Sequence, residues 1–137
     1  MIRVLIVDDQ PAFRRQLRAL LTRAGFDVVG EARDIAEAEK QVRDARPDLA
    51  VVDVMLPNVN GLDGSPRLKA IAPELRVILI SAYHDRADLF RSAARQVGAE
   101  AFFAKDDLDL EMVRAWQASR NGKNQTTITL EEREGEK

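Results

Sequence analysis

Apolar positions in this chain fall into short dense runs, separated by stretches in which they recur at helical spacing. The densest run is Leu49-Ala50-Val51-Val52-Asp53-Val54-Met55-Leu56-Pro57. Leu49 to Val52 and Val54 are small or branched apolar types, the composition of a strand buried on both faces. Pro57 forbids further regular pairing. A carboxylate inside a buried strand would be expensive, but near the strand's downstream end Asp53 can face a crevice instead.

The rest of the chain alternates around that run. Ile2 to Val7 reads as a strand ending in Asp8-Asp9, and Pro11 suits a first helical position. Phe13, Leu17, Leu20, Leu21 and Ala24 follow at helical spacing, with Gly25 as the stop. Phe26 to Glu31 predicts a second, more polar strand, nearer an edge. Ile35, Ala38, Val42 and Ala45 mark a second helix with Asp34 as N-cap, closed by Pro47. After the turn chemistry of Asn58 to Gly61, a third helix carries Leu68 and Ile71. Pro66 would remove a bond inside that helix, so its regular part is expected to begin near Ser65 rather than at Gly61. Leu75 to Ile80 is a fourth buried strand ending in Ser81, and Ala87, Phe90, Ala94 and Val97 share one face of a helix that Gly98 ends. Ala101 to Ala104 is a short fifth strand followed at once by Lys105. A last helix is expected from near Asp107, with Leu108, Met112, Ala115 and Trp116 on one side.

Five strands alternating with five helices predict an α/β fold with a doubly wound parallel sheet. Right-handed crossovers leave few topologies, and the flavodoxin-like (βα)5 order 2-1-3-4-5 is the commonest for five units. In that order, the strands ending in Asp8-Asp9, Asp53, Ser81 and Lys105 are neighbours, with the switch point between strands 1 and 3. Three carboxylates would share one crevice, where repulsion raises their pKa values unless a cation is present. Oxygen ligands alone suit a hard cation, Mg²⁺ in a cell. A hydroxyl and an ammonium on the other side match a phosphoryl group.

Composition narrows the alternatives. The chain has 137 residues, 45% hydrophobic and 32% charged, consistent with one soluble domain with a real core. With a net charge of −2, no nucleic acid or membrane partner is expected. Cysteine is absent, which removes thiol catalysis and disulfides, and the only histidine, His84, reads as an ordinary loop residue. No apolar run approaches a membrane span and Met1 leads directly into a strand, so a cytoplasmic address is expected.

Taken together, these positions resemble the receiver (CheY-like) domain of response regulators in two-component signalling, over about residues 2 to 120. The resemblance implies Asp53 as phosphoacceptor. It implies a Mg²⁺ site made of Asp8, Asp9, Asp53 and the backbone carbonyl of Met55. Ser81 and Lys105 would bind the phosphoryl group, with Phe102, three residues before the lysine, as the switching aromatic. Leu56-Pro57 and Gly61 fit the loop after the acceptor. Met55 and Tyr83, two residues beyond acceptor and hydroxyl, would flank the path of hydrolytic water and slow it, and Tyr83 belongs with the switch positions. Lys105 is followed by Asp106 where many receivers have proline, so a trans bond is expected there. Phe102 lacks a tyrosine's hydroxyl, and burial should favour its inward rotamer even before phosphorylation.

Residues 121–137 are polar and then charged, and predict a flexible tail beyond a receiver domain of residues 1–120. Leu130-Glu131-Glu132-Arg133-Glu134 resembles the start of one DNA-binding output domain, but no helix-turn-helix follows, so the chain reads as a stand-alone receiver. The expected partners are a sensor histidine kinase or histidine phosphotransfer protein, and an unknown output protein. Phosphorylation would change the helix 4–strand 5–helix 5 surface. Two other classes compete: a receiver-like protein-binding module that is never phosphorylated, and an aspartyl-nucleophile phosphatase. The phosphatase is disfavoured because the usual Asp-x-Asp spacing is missing at Asp53.

Overall fold

A computed structural model describes residues 1–82 and 86–121; Tyr83, His84, Asp85 and the segment 122–137 lie outside the described residues. Strands β1 (Arg3–Val7), β2 (Asp27–Ala32), β3 (Leu49–Asp53), β4 (Arg76–Ser81) and β5 (Ala101–Ala104) alternate with helices α1 (Pro11–Arg23), α2 (Ile35–Ala45), α3 (Gly61–Ile71), α4 (Ala87–Gln96) and α5 (Leu110–Asn121). All pairings are parallel, in the order β2-β1-β3-β4-β5. This is the flavodoxin-like order predicted from the alternation. No helix is long and apolar enough to cross a membrane among the described residues.

Alternation along each strand divides the core between the two faces of the sheet. Leu5, Val7, Ala50, Val52, Val77 and Leu79 point to one face, under Ile35, Val42, Leu68 and Phe90 of α2, α3 and α4. Val4, Ile6, Leu49, Val51, Ile78 and Ile80 point to the other, under Leu17, Leu21, Val113 and Trp116 of α1 and α5. The three central strands are thus apolar on both sides and buried along their length, except for the half-buried Arg3 and Arg76 at the starts of β1 and β4. Such burial stabilises at about 25 cal/mol per Å² of apolar surface, and it fixes where each strand stops.

Helix ends follow local chemistry. Asp34 accepts from the Glu37 backbone N–H at 2.9 Å, the predicted cap of α2. Arg46 closes that helix in the left-handed region at φ 51°, with Pro47 next.

Two boundaries differ from the sequence-based expectation. Helix α3 runs unbroken from Gly61 through Pro66 to Ile71 rather than starting near Ser65. Its cap is Asn60, whose Oδ1 accepts from the Asp63 backbone N–H at 2.8 Å. Ser65 lies inside the helix, buried, and its hydroxyl donates to the Gly61 carbonyl at 2.7 Å. Pro66 sits on the exposed face, where losing one backbone bond does not outweigh the cap and the packing of Leu68. Helix α5 begins at Leu110, because Lys105–Asp107 form a 3₁₀ turn and Asp109 caps the helix through the Met112 N–H at 2.8 Å. That start puts Val113 rather than Ala115 into the core beside Trp116; Ala115 is exposed.

Candidate functional site

The carboxyl ends of β1, β3, β4 and β5 converge, and each brings the polar group expected of it. Asp8 and Asp9 follow β1, Asp53 ends β3, Ser81 ends β4 and Lys105 follows β5. Pairing registers Asp53 with Ile80 and Ser81 with Ala104, so hydroxyl and lysine leave adjacent strands at one level. Ser81 is fully buried.

Asp8, Asp9 and Asp53 each present a carboxylate oxygen within 4.8 Å of the others, with Asp8 and Asp53 buried and Asp9 exposed. The Lys105 Nζ lies 2.7 Å from Asp8 Oδ2 and donates to Asp53 Oδ2 at 3.2 Å. Backbone groups hold the remaining oxygens: Asp53 Oδ1 accepts from the Met55 N–H at 3.0 Å, and Asp8 Oδ1 from the Gln10 N–H at 2.8 Å. Met55 itself is exposed, so its side chain is free of the core.

Burial, the largest influence, pushes the Asp53 carboxyl up to about 6 from an ordinary value of 3.8; Asp8 adds to the rise, while the Met55 N–H and Lys105 oppose it. Burial works to lower the Lys105 pKa, but the Asp8 and Asp53 carboxylates reverse this and leave it raised. A cationic lysine therefore faces a cluster carrying more negative charge than it can balance. The buried Asp8 Oδ2 is paired with that ammonium alone. Three convergent carboxylates around one ammonium leave an all-oxygen donor set with excess negative charge, which suits a small hard cation, so the residues fit Mg²⁺.

Three contributors escaped the sequence reading. Phe13, taken there only as part of an apolar stripe, places its ring 4.2 Å below the Lys105 Nζ. Arg14 donates to the Asp8 carbonyl at 2.6 Å and to Glu31 at 2.9 Å, fixing the acidic loop against β2. Burial opposes ionisation of Glu31, yet Arg18 and Arg14 hold its pKa below the usual value. The third is the closeness of Gly61: a Cβ there would collide with the Asp53 backbone carbonyl, so only glycine lets α3 start against the end of β3. A short spacing from Asp9 is the only signal that could have singled out Phe13 or Arg14.

Phe102 is 3% exposed and packs against Phe90 of α4, ring centroids 5.6 Å apart, so the expected burial holds. The Lys105–Asp106 bond is trans, as are the other peptide bonds among the described residues. Tyr83 lies outside the described residues.

The response regulator receiver domain family matches residues 4–116. This chain belongs to that family. Receivers are signalling modules rather than enzymes, and they interact with histidine kinases. The chain is 40% identical to the DNA-binding transcriptional activator DevR/DosR of Mycobacterium tuberculosis, over 84% of this chain and 52% of that protein. It is 35% identical to the chemotaxis protein CheY of Thermotoga maritima, over 75% of this chain and 84% of that protein. The chain thus spans about half the length of one curated relative and most of the other. Among solved structures, a LuxR-family two-component response regulator from Aurantimonas sp. SI85-9A1 superimposes with a TM-score of 0.79 at 30% identity, covering 88% of this chain and 85% of that one. CheY in the CheX–CheY–BeF3–Mg²⁺ complex from Borrelia burgdorferi superimposes with a TM-score of 0.76 at 27% identity, covering 85% and 88%. The acidic triad is typical of the Mg²⁺-binding site of receivers.

Proposed function

We propose that this receiver accepts a phosphoryl group on Asp53 from a phosphohistidine of a sensor kinase or phosphotransfer protein. The observation that carries the reading is a buried Asp53 held at 3.2 Å from Lys105 within a three-carboxylate cluster. A carboxylate oxygen of Asp53 forms the new bond to phosphorus as the phosphorus–nitrogen bond breaks, and the electron pair returns to the donor imidazole. A carboxyl that titrates near 6 is mostly ionised at neutral pH and so available as the nucleophile. Asp8, Asp9, Asp53 and the Met55 carbonyl would hold Mg²⁺, which supplies charge neutralisation for the transferring group.

The acyl phosphate carries about two negative charges and redirects Lys105 and Ser81 toward itself. Phe102 is already buried, so the structural response falls on the segment after Ser81 and on α4, whose Phe90 packs against Phe102. The α4–β5–α5 face is the surface then offered to an output protein, and a cytoplasmic address belongs to the same proposal.

Incubation with acetyl phosphate and Mg²⁺ tests the reading. A stable, acid-resistant and base-labile label on Asp53, absent from Asp53→Asn, supports it. No label indicates a constitutive binding module, and turnover of other phosphoesters indicates a phosphatase.

A further inference from the structure

Lys105 has a neighbour besides its two carboxylates. The Phe13 ring lies in the first turn of α1, four residues after Asp9, with the Lys105 Nζ 4.2 Å from its centroid. A ring face carries partial negative charge and attracts an ammonium, more strongly where water is excluded. Water is largely excluded here: the Lys105 side chain is 8% exposed. Phe13 is half-buried against the core formed with Leu17 and Leu21, so packing fixes the ring and the ring steadies the lysine.

We propose that Phe13 is a positioning residue of the site: its π face holds the Lys105 ammonium against Asp8 and Asp53, as a built-in counter-ion that competes with a divalent cation for the same carboxylates. The kinetic half of this inference rests on Asp53 being the phosphoacceptor; the competition is a property of the unphosphorylated protein.

The geometry makes two effects oppose each other. Lys105 meets Asp8 at Oδ2, and Asp8 is one of the three residues whose oxygens converge. Loosening the ammonium frees that oxygen for a cation, so Mg²⁺ should bind more tightly. The same loosening withdraws a positive charge from beside Asp53, where an incoming phosphoryl group needs it, so labelling should slow. General loosening of the site would instead weaken both.

Phe13→Leu keeps an apolar side chain without a π face, and Phe13→Tyr keeps the π face. Mg²⁺ affinity of the unphosphorylated proteins is measured by titration calorimetry, and labelling from acetyl phosphate at saturating Mg²⁺. Phe13→Leu should bind Mg²⁺ roughly twofold to fivefold more tightly and label more slowly by a similar factor, with Phe13→Tyr following the parent on both. Unchanged or weaker Mg²⁺ binding in Phe13→Leu, or a tyrosine variant that behaves like the leucine one, overturns the proposal. The Lys105 ε-methylene proton resonances give a signature separate from activity: shifted upfield by the ring in the parent, and returned to ordinary values in Phe13→Leu. Should Phe13→Leu not fold, the parent's resonances decide, since an unshifted methylene there overturns the proposal and an upfield one sustains it. If neither parent nor variants label while the affinity and resonance results hold, the phosphoacceptor reading fails and the role of Phe13 stands.

Discussion

Replacing Asp53 with asparagine separates the chemical demand of the site from its cost to folding. The Asp53 carboxyl rises from 3.8 to about 6 on folding, chiefly through burial. At about 1.4 kcal/mol per pH unit, holding it ionised costs about 3 kcal/mol of folding stability. The folded chain binds this proton more tightly than the unfolded chain, so the contribution of Asp53 to stability is most favourable below pH 4, falls as pH rises through about 6, and is level above. Asparagine has no such titration. Its Oδ1 can keep the Met55 N–H, but its amide nitrogen then faces the Lys105 ammonium that Oδ2 accepted from. Losing that acceptor costs about 1 kcal/mol, which leaves a net gain of about 2 kcal/mol for Asp53→Asn near pH 8.

Urea denaturation in the presence of a chelator, at about pH 5 and about pH 8, checks this. The advantage of the variant should be small at the lower pH and reach its full size at the higher one. Mg²⁺ should then close the gap, since a cation at a hundredfold excess over its Kd stabilises the parent by about 2.7 kcal/mol and finds a poorer site in the variant. A difference that is constant across pH, or a parent more stable than the variant near pH 8 without metal, refutes the reasoning that burial dominates the electrostatics of Asp53.

Other outcomes follow from the same geometry. Asp9→Ala removes the exposed carboxylate of the triad and should weaken Mg²⁺ by roughly tenfold or more while cutting most labelling from acetyl phosphate; normal labelling would sink the metal assignment. Phe102→Tyr puts a hydroxyl into a site that is 3% exposed, at about 1–3 kcal/mol if unpaired, so amide resonances of α4 should report a changed active fraction under beryllofluoride while Asp53 still labels. Gly61→Ala forces a Cβ onto the Asp53 carbonyl and should destabilise by about 1–3 kcal/mol in thermal unfolding, with slower labelling because the acceptor itself shifts; parent-like values of both would show that α3 yields freely.

Strand order and the gathering of Asp8, Asp9, Asp53, Ser81 and Lys105 were legible in the sequence because each rests on a strong, local rule. Continuous apolar runs identify strands buried on both faces, and a single polar residue closing each run must point out of the sheet at its carboxyl end. Crossover handedness then makes those ends neighbours. The errors arose where two local rules competed. Proline at 66 argued against a helix start at Gly61, but Asn60 could cap one there, and burial of Ser65 and Leu68 decided for the longer helix. Asp107 and Asp109 are both plausible caps for α5, and the 3₁₀ turn after Lys105 selects the second.

What pattern could not reach was the environment of each charge. The same five polar residues could sit in a crevice open to water, where Asp53 would titrate ordinarily and a lysine would contribute little. They sit instead where Asp8 is wholly buried, Lys105 is nearly so, and Phe13 and Arg14 come in from α1 to confine them. That confinement raises Asp53 and crowds three carboxylates around one ammonium, an arrangement that favours a further cation. On the proposed function, a phosphoryl group would bring more negative charge to the same place and would need Lys105 to turn toward it. On the same proposal, the motion of one ammonium from the carboxylates it pairs with to that group would link the chemistry at Asp53 to β5, which carries Phe102, and through the Phe102–Phe90 contact to α4.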